Sequence, residues 1–218
     1  MLQGKKLSIL GDSLSTYRGI SNDAAANVST CWNPCYYRSQ FPPEHTYWGR
    51  VMTEFGLTLC VNNSWSGGNL SGRSDLSAGV NRAHRLARND GTMPDVIIVC
   101  MGINDLGRNV PVEVFASDYE RTLQIIRQQY PAAMVCCVNL PDRDVYLKRR
   151  AEQFNEAIAQ AVETVGDGCF IADFFHSRMN NDTYYWNTLD GLHPDADGMG
   201  MIAEVVCDAI RGYLAKMR

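Results

Sequence analysis

Short apolar runs alternate along the chain with longer stretches in which apolar residues recur at helical spacing. Five runs have the length of β-strands and cover residues 6–10, 57–61, 95–101, 133–139 and 169–173. Five intervening stretches have the period of amphipathic helices and cover residues 47–55, 80–87, 112–129, 146–165 and 195–216. The run 96–101 is apolar without alternation, which is typical of a central strand covered on both faces.

Strands separated by helices predict βαβ units, and therefore a mostly parallel sheet of about five strands. A three-layer α/β/α sandwich is the simplest arrangement for these elements. No repeat, low-complexity tract or linker interrupts the pattern, so a single domain over residues 1–218 is expected. The stretch 16–45 lacks periodicity, and a loop of that length in a compact domain is usually functional or mobile.

The charge balance argues against a nucleic-acid-binding protein. The chain has 20 Lys and Arg against 24 Asp and Glu, a formal net charge of −4, whereas nucleic-acid binders carry a basic patch or stripe. The longest apolar run, 132–138, has seven residues, and a membrane-spanning helix needs roughly 20. We therefore expect neither nucleic acid as a partner nor a membrane span, and the oligomeric state stays open.

The eight cysteines indicate a reducing environment. Cys100, Cys136 and Cys137 lie in strand-like apolar runs, where cysteine behaves as a small hydrophobe. Cys31 and Cys35 have a spacing that allows a disulfide, although free thiols are favoured in a reduced compartment. Because no secretory signal is recognisable at the N-terminus, we expect a cytoplasmic protein; a chain that had lost a cleaved leader would look the same.

Four polar segments stand where ligands bind in open parallel sheets, beyond the carboxyl ends of the strands. They are Gly-Asp-Ser-Leu-Ser at 11–15, Asn-Asn-Ser-Trp-Ser-Gly-Gly-Asn at 62–69, Gly-Ile-Asn-Asp at 102–105 and Asp-Gly-Leu-His-Pro at 190–194. We predict that these segments meet at one rim of the sheet.

The polar residues of these segments suit nucleophilic acyl transfer. A serine hydroxyl needs an adjacent base, and His193 is the candidate base for Ser13. Asp190 lies three residues before His193, so a short turn can fold its carboxylate onto the imidazole. The Ser13 N–H, the Gly67 N–H and the Asn104 side-chain amide are candidate donors for the oxyanion that forms when a carbonyl is attacked.

The four segments together resemble the blocks of the GDSL, or SGNH, hydrolase family of esterases and lipases. The letters S, G, N and H match Ser13, Gly67, Asn104 and His193, in the expected order and over nearly the whole chain. The second block departs from the family pattern, which usually has a small residue where Ser64 stands. Gly68 is therefore an alternative to Gly67 as the oxyanion donor.

The resemblance implies a flavodoxin-like fold and a serine hydrolase that needs neither a metal nor another cofactor. The nucleophile elbow of α/β-hydrolases, Gly-x-Ser-x-Gly, does not occur in the sequence. His45, His84 and His176 show neither a partner pattern nor the spacing of metal ligands.

Aromatic residues near these segments suggest the substrate class. Flat rings with polar edges suit amphipathic ligands, which favours deacylation of a carbohydrate or another small polar ester. A lysophospholipase, a thioesterase and a non-catalytic carbohydrate-binding module are the alternatives. We predict that the loop 16–45 forms part of the substrate site and that substrate contacts come from Asp12, Leu14, Tyr17, Trp65, Gly68 and Trp186.

Overall fold

A computed structural model describes residues 2–17, 19–20, 40–180 and 182–217. Its strands are β1 (Lys6–Gly11), β2 (Thr58–Ser64), β3 (Val96–Cys100), β4 (Met134–Val138) and β5 (Cys169–Ala172). Its helices are α1 (Tyr47–Phe55), α2 (Gly79–Arg82), α3 (Ile103–Gly107), α4 (Val112–Gln129), α5 (Lys148–Val165) and α6 (Ala196–Lys216). Two 3-10 turns, Pro43–His45 and Tyr184–Asn187, complete the set.

The five strands form one sheet in the order β2-β1-β3-β4-β5, and every pair is parallel. This is the strand order of flavodoxin-like folds, which confirms the predicted fold class. Gly11 at the end of β1 pairs with Ser64 of β2 and with Cys100 of β3. The three strands therefore end level with one another, and the loops that follow them start at the same rim.

Alternate side chains of each strand point to opposite faces of the sheet, and both faces are covered. Ile98 packs with Trp48 of α1 and Ile202 of α6 in one core cluster. Ile97 packs with Phe115 of α4 and Phe154 of α5 in the other. Helices on both faces explain why β3 reads as an unbroken apolar run rather than an alternating one.

The helix predicted at 80–87 is shorter than expected and ends at Arg82. Arg82 O and the N–H of Leu86, which would bond to each other in a continuing helix, are bound by side chains from other elements. Leu86 N donates to Tyr130 Oη at 2.8 Å, and Arg82 O accepts from Asn63 Nδ2 at 3.2 Å. These tertiary hydrogen bonds outweigh the modest free energy of one more helical turn.

Two further elements differ from the sequence prediction. Strand β2 continues through the polar residues 62–64, because Asn62 donates to Ser15 O at 2.8 Å and Ser64 donates to Asn62 Oδ1 at 2.6 Å. These bonds satisfy polar groups that the sheet would otherwise bury unpaired. The short helix α3 occupies residues that were expected to form a loop.

Most of the long loop 16–45 lies outside the described residues, including Cys31 and Cys35. Their pairing and the role of the loop in the substrate site stay predictions. Within the described ranges, the helices are too short or too polar to cross a membrane.

Gly102 offers a test of how tightly β3 is joined to α3. Its φ of 122° is in the region that favours glycine, and an added Cβ would lie 3.1 Å from the Phe115 ring and 3.2 Å from Leu140 Cδ2. We expect Gly102→Ala to lower the free energy of unfolding by about 1–3 kcal/mol through strain and crowding. Urea unfolding measures the change.

Gly107→Ala is the matched control, since a Cβ at Gly107 meets nothing within 4 Å and the residue is helical. We expect this variant to be as stable as the parent or up to about 1 kcal/mol more stable. Equal stability of the two variants would show that Gly102 is not under steric constraint.

Candidate active site

Ser13 lies in a tight turn that begins where β1 ends. The Asp12 carbonyl accepts the N–H of Ser15 at 3.1 Å, and Asp12 Oδ1 accepts the N–H of Leu14 at 3.0 Å. Thr16 Oγ1 donates to Ser13 O at 3.0 Å. Bonds on both sides of Ser13 fix its backbone, and therefore the direction in which its side chain leaves the turn.

His193 lies in a closed loop between the second 3-10 turn and α6. Thr188 and Pro194 form an antiparallel bridge, and Leu189 N donates to His193 O at 2.8 Å. The tip of the loop contains Gly191, whose φ of 83° permits the reversal of the chain. The loop thereby brings Asp190 and His193 onto the same side.

The carboxylate of Asp190 binds both the backbone and the ring of the histidine. Asp190 Oδ1 accepts the N–H groups of Leu192 at 3.0 Å and His193 at 2.8 Å, while Oδ2 lies 2.9 Å from His193 Nδ1. Because a carboxylate accepts, the proton of the neutral imidazole is on Nδ1 and Nε2 is an acceptor. His193 Nε2 lies 2.9 Å from Ser13 Oγ. The three side chains form a continuous hydrogen-bonded chain capable of taking a proton from the serine.

A second Asp-x-x-His pair corrects the prediction that His176 has no partner. His176 Nδ1 lies 2.8 Å from Asp173 Oδ2, and this ion pair is largely exposed. Hydrogen bonds from Asn139 and from His176 itself lower the pKa of Asp173 in spite of its partial burial. The two pairs have the same spacing, but the imidazole that contacts Ser13 is that of His193.

The sheet order places the candidate oxyanion donors on either side of Ser13. Gly67 follows β2 and Asn104 follows β3, and these are the two neighbours of β1. In the turn 65–68, Gly68 N donates to Trp65 O at 3.0 Å, and Gly67 has a φ of 70°. Positive φ at the third position of such a turn favours glycine.

The turn favours Gly67 over Gly68 as the donor. The N–H of Gly68 is already bonded within the turn, whereas those of Ser13 and Gly67 have no acceptor among the described residues. The Asn104 amide donates to Gly68 O at 3.1 Å and lies 3.4 Å from Asp12 Oδ2. Nδ2 carries two protons, and both are bonded, so an oxyanion would have to replace the longer bond to Asp12.

Two buried carboxylates bind backbone groups next to the candidate site: Asp12 in the Ser13 turn and Asp105 in the loop 67–71. Burial raises the pKa of Asp12 to about 7, although the Leu14 N–H and the charge of Arg82 act in the opposite direction. Asp105 accepts the N–H of Leu70 at 2.7 Å and that of Ser71 at 3.0 Å, and it also accepts the Ser71 hydroxyl. Burial raises the pKa of Asp105 despite these bonds.

Arg82 is a supporting residue that the sequence pattern did not single out. Its guanidinium is buried and donates to Gly11 O at 3.0 Å, to Ser77 O at 2.8 Å and to Asn63 O. It therefore joins the ends of β1 and β2 to the loop before α2. An isolated arginine in a weakly amphipathic segment carries no motif by which sequence reasoning could find it.

The predicted substrate contacts fall into two groups. Asp12, Leu14 and Tyr17 are at least 95% buried, and Tyr17 packs edge-on against Trp48. Their side chains are enclosed by protein, so a direct contact with substrate gains no support from this placement.

Trp65, Gly68 and Trp186 lie nearer to the surface or to the candidate donors. Trp65 is half-buried and forms the turn with Gly68, whereas Trp186 is 84% exposed. Tyr185, beside Trp186, packs against the His193 loop, because a Cβ at Gly191 would lie 3.1 Å from the Tyr185 ring. Within the described ranges, no group of three or more His, Cys, Asp or Glu is arranged to hold a metal ion.

Comparison with known proteins assigns these features to a family. The model of the GDSL-like Lipase/Acylhydrolase family matches residues 9–201. No curated protein matches the sequence at a significant level.

Solved structures share the fold at low sequence identity. A candidate GDSL-like lipase of Bacteroides uniformis ATCC 8492 is 24% identical, with 96% of each chain covered and a TM-score of 0.72. The psychrotrophic esterase EstA of Pseudoalteromonas sp. is 17% identical over 97% of this chain and 99% of its own, with a TM-score of 0.64. A family two carbohydrate esterase of Clostridium thermocellum, solved with cellohexaose, is 17% identical over 97% of this chain and 65% of its own, with a TM-score of 0.69. At these identities the likeness shows the fold.

The raised pKa of Asp12 predicts a pH-dependent stability. Because the folded protein holds this proton more tightly than the unfolded chain, the stabilisation is complete below about pH 4 and is lost as pH rises through about 7. The change amounts to roughly 4 kcal/mol. Asp12→Asn removes the titration, so its free energy of unfolding should rise relative to the parent between pH 4 and 8.

Urea unfolding at several pH values measures this difference. Glu156→Gln removes an exposed carboxylate from α5, and its stability should follow the parent at every pH. If the Asp12→Asn and parent curves were parallel as well, Asp12 would not be the group that titrates.

Proposed function

The chain belongs to the GDSL-like lipase/acylhydrolase family, and we propose that it is a serine esterase that cleaves carboxylic esters through an acyl-enzyme intermediate. The observation that carries the proposal is the hydrogen-bonded chain from Ser13 through His193 to Asp190, with distances of 2.9 Å at both links. A family of esterases and acylhydrolases supplies the reaction class, and these side chains supply the groups that the reaction needs.

Acylation begins with attack of Ser13 Oγ on the ester carbonyl while His193 Nε2 takes the hydroxyl proton. Asp190 keeps the imidazole oriented and stabilises its positive charge. The negative charge that develops on the carbonyl oxygen is bound by the N–H groups of Ser13 and Gly67 and by the Asn104 amide. When the tetrahedral intermediate breaks down, the C–O bond to the alcohol is cleaved and His193 returns the proton to the leaving oxygen.

Deacylation repeats these steps with water in place of the serine. His193 Nε2 accepts a proton from the water as it attacks the acyl carbonyl, and the same three donors bind the second oxyanion. The intermediate releases the carboxylic acid, and the proton passes back to Ser13 Oγ. Each proton that His193 accepts is returned within the same half-reaction, so the reaction needs no external acid.

Within this class, we favour a small acyl group on a carbohydrate or a similar polar alcohol. The exposed rings of Tyr185 and Trp186 lie directly before the loop of His193, and flat aromatic faces suit the apolar faces of sugars. The relative from Clostridium thermocellum is a carbohydrate esterase solved with cellohexaose, which supports the same substrate class.

The nucleophile is tested by Ser13→Ala. We expect hydrolysis of p-nitrophenyl acetate to fall to the uncatalysed background or close to it, since removal of a nucleophile leaves only oxyanion and binding contributions. A thermal melt of the same preparation should be nearly unchanged, because Ser13 contributes a hydroxyl and not core packing. Full activity in a folded Ser13→Ala protein would exclude Ser13 from the mechanism.

The substrate class is tested by Trp186→Ala on a panel of acetylated cello-oligosaccharide, lysophosphatidylcholine, an acyl-thioester and p-nitrophenyl acetate. We expect kcat/KM for the oligosaccharide to fall about tenfold relative to that for p-nitrophenyl acetate, because the loss of even a small apolar contact with substrate is worth roughly 1–3 kcal/mol.

Trp186→Phe should retain most of the oligosaccharide activity, since it keeps a flat ring. The surface control is Leu76→Ala, whose side chain is also largely exposed and lies in the loop before α2. If the parent preferred the lysophospholipid or the thioester, or if Trp186→Ala left every ratio unchanged, the carbohydrate assignment would be wrong.

A further inference from the structure

The short helix α3 carries three polar side chains that bind consecutive residues of the loop 67–71. Asn104 donates to Gly68 O at 3.1 Å, and Asp105 accepts the N–H groups of Leu70 and Ser71. The third side chain is that of Arg108, at the C-terminal end of the helix. Asn104 and Arg108 are four residues apart and therefore share one helical face.

Arg108 binds the part of the loop closest to the candidate oxyanion donor. Its Nη1 donates to Gly67 O at 2.6 Å and to Asn69 Oδ1 at 2.6 Å. Its Nη2 lies 3.4 Å from the position that a Cβ of Gly67 would occupy. The backbone N–H of Arg108 donates to Asn104 O at 2.9 Å. One residue therefore connects the loop of Gly67 with the helix of Asn104.

These contacts fix both ends of the peptide bond that follows Gly67. Arg108 holds its carbonyl oxygen, and Trp65 O holds its N–H, which belongs to Gly68. A glycine with positive φ has wide backbone freedom, so the direction of the Gly67 N–H depends on how firmly the next peptide is held. A misplacement of about 1 Å can lower a rate about 10²-fold.

We propose that Arg108 is a positioning residue for the oxyanion hole, which orients the Gly67 N–H through the Gly67 carbonyl and couples it to Asn104. The inference rests on the proposed function, because it concerns the donors of that reaction. Arg108 itself makes no contact with the reacting atoms. The role uses hydrogen bonds to neutral acceptors, so it should operate on uncharged esters.

Two other roles for Arg108 make different predictions. A guanidinium that binds an anionic group of the substrate would change KM for charged esters and leave neutral esters unaffected. A purely structural role would change the thermal melt without changing the turnover of the folded protein. A positioning role instead lowers kcat and kcat/KM together on a neutral ester, as expected for an interaction that matters in the transition state.

The test is the steady-state kinetics of Arg108→Ala with p-nitrophenyl acetate. We expect kcat and kcat/KM to fall together by about 10- to 100-fold. This decrease is no larger than the decrease of about 10²–10³-fold that follows removal of a whole oxyanion donor. The kcat of Arg108→Lys should lie between those of Arg108→Ala and the parent, since the lysine ammonium is still a hydrogen-bond donor but has a shorter reach.

Chemical rescue separates positioning from a general loss of structure. Guanidinium chloride at millimolar, non-denaturing concentration should raise kcat of Arg108→Ala severalfold by occupying the vacated position. Guanidinium chloride should not raise kcat of Asn104→Ala. Sodium chloride at the same ionic strength should not raise kcat of Arg108→Ala. Arg73→Ala is the matched control, because Arg73 lies two residues beyond the loop 67–71 but binds Asp118 at 2.6 Å.

The outcomes distinguish this proposal from the proposed function. An active parent, an inactive Ser13→Ala and an Arg108→Ala with unchanged kcat would overturn the positioning role alone. A similar fall in kcat for Arg73→Ala, or a loss that guanidinium does not reverse, would overturn it as well. A parent without esterase activity would overturn both proposals.

Discussion

One buried guanidinium determines how the ends of β1 and β2 meet. Arg82 donates to the carbonyls of Gly11 and Asn63, at the ends of the two strands, and to that of Ser77, in the loop before α2. A buried charge costs free energy unless its donors are bonded, and the three carbonyls supply acceptors for Arg82. The charge also lowers the pKa of Asp12, partly offsetting the effect of burial. The Ser13 turn therefore rests on a layer of buried polar groups, while Leu14 of the same turn packs in the apolar core.

The candidate site above this layer is held mainly by hydrogen bonds to backbone. Asp190 binds two N–H groups of its own loop, Asp105 binds two of the loop 67–71, and Arg108 binds the Gly67 carbonyl. Backbone acceptors and donors are fixed in position by the sheet and its helices, so side chains attached to them lose little further freedom. Oxyanion stabilisation depends on donors that need no rearrangement during the reaction. These hydrogen bonds hold the loops of the candidate site in place before a substrate binds, as a preorganised site requires.

Elements whose stability comes from their own apolar face could be predicted from the sequence. The helices at 47–55 and 112–129 have the predicted bounds, and all five strands occur where apolar runs indicated them. Segments shaped by distant partners could not be predicted. The helix predicted at 80–87 stops at Arg82 because Tyr130 accepts the N–H of Leu86 and Asn63 donates to the carbonyl of Arg82. Strand β2 extends over polar residues because Asn62 donates to Ser15 O. Arg82 and Arg108 were missed for the same reason, since a single arginine has no local pattern that specifies its acceptors.

The two Asp-x-x-His pairs separate what a local motif can specify from what the fold must supply. In each pair a carboxylate orients an imidazole through Nδ1, at 2.9 Å for His193 and 2.8 Å for His176. A turn of four residues is sufficient for that geometry, so the motif alone yields only an oriented imidazole. His193 differs from His176 because it contacts Ser13, which lies 180 residues away in sequence. Ser13 follows β1, and the loops of the two neighbouring strands lie on either side of it. The arrangement of the candidate site therefore depends on strand order, because the β2-β1-β3 order places Ser13 between the loops of Gly67 and Asn104 while the loop before α6 brings the imidazole of His193 to it.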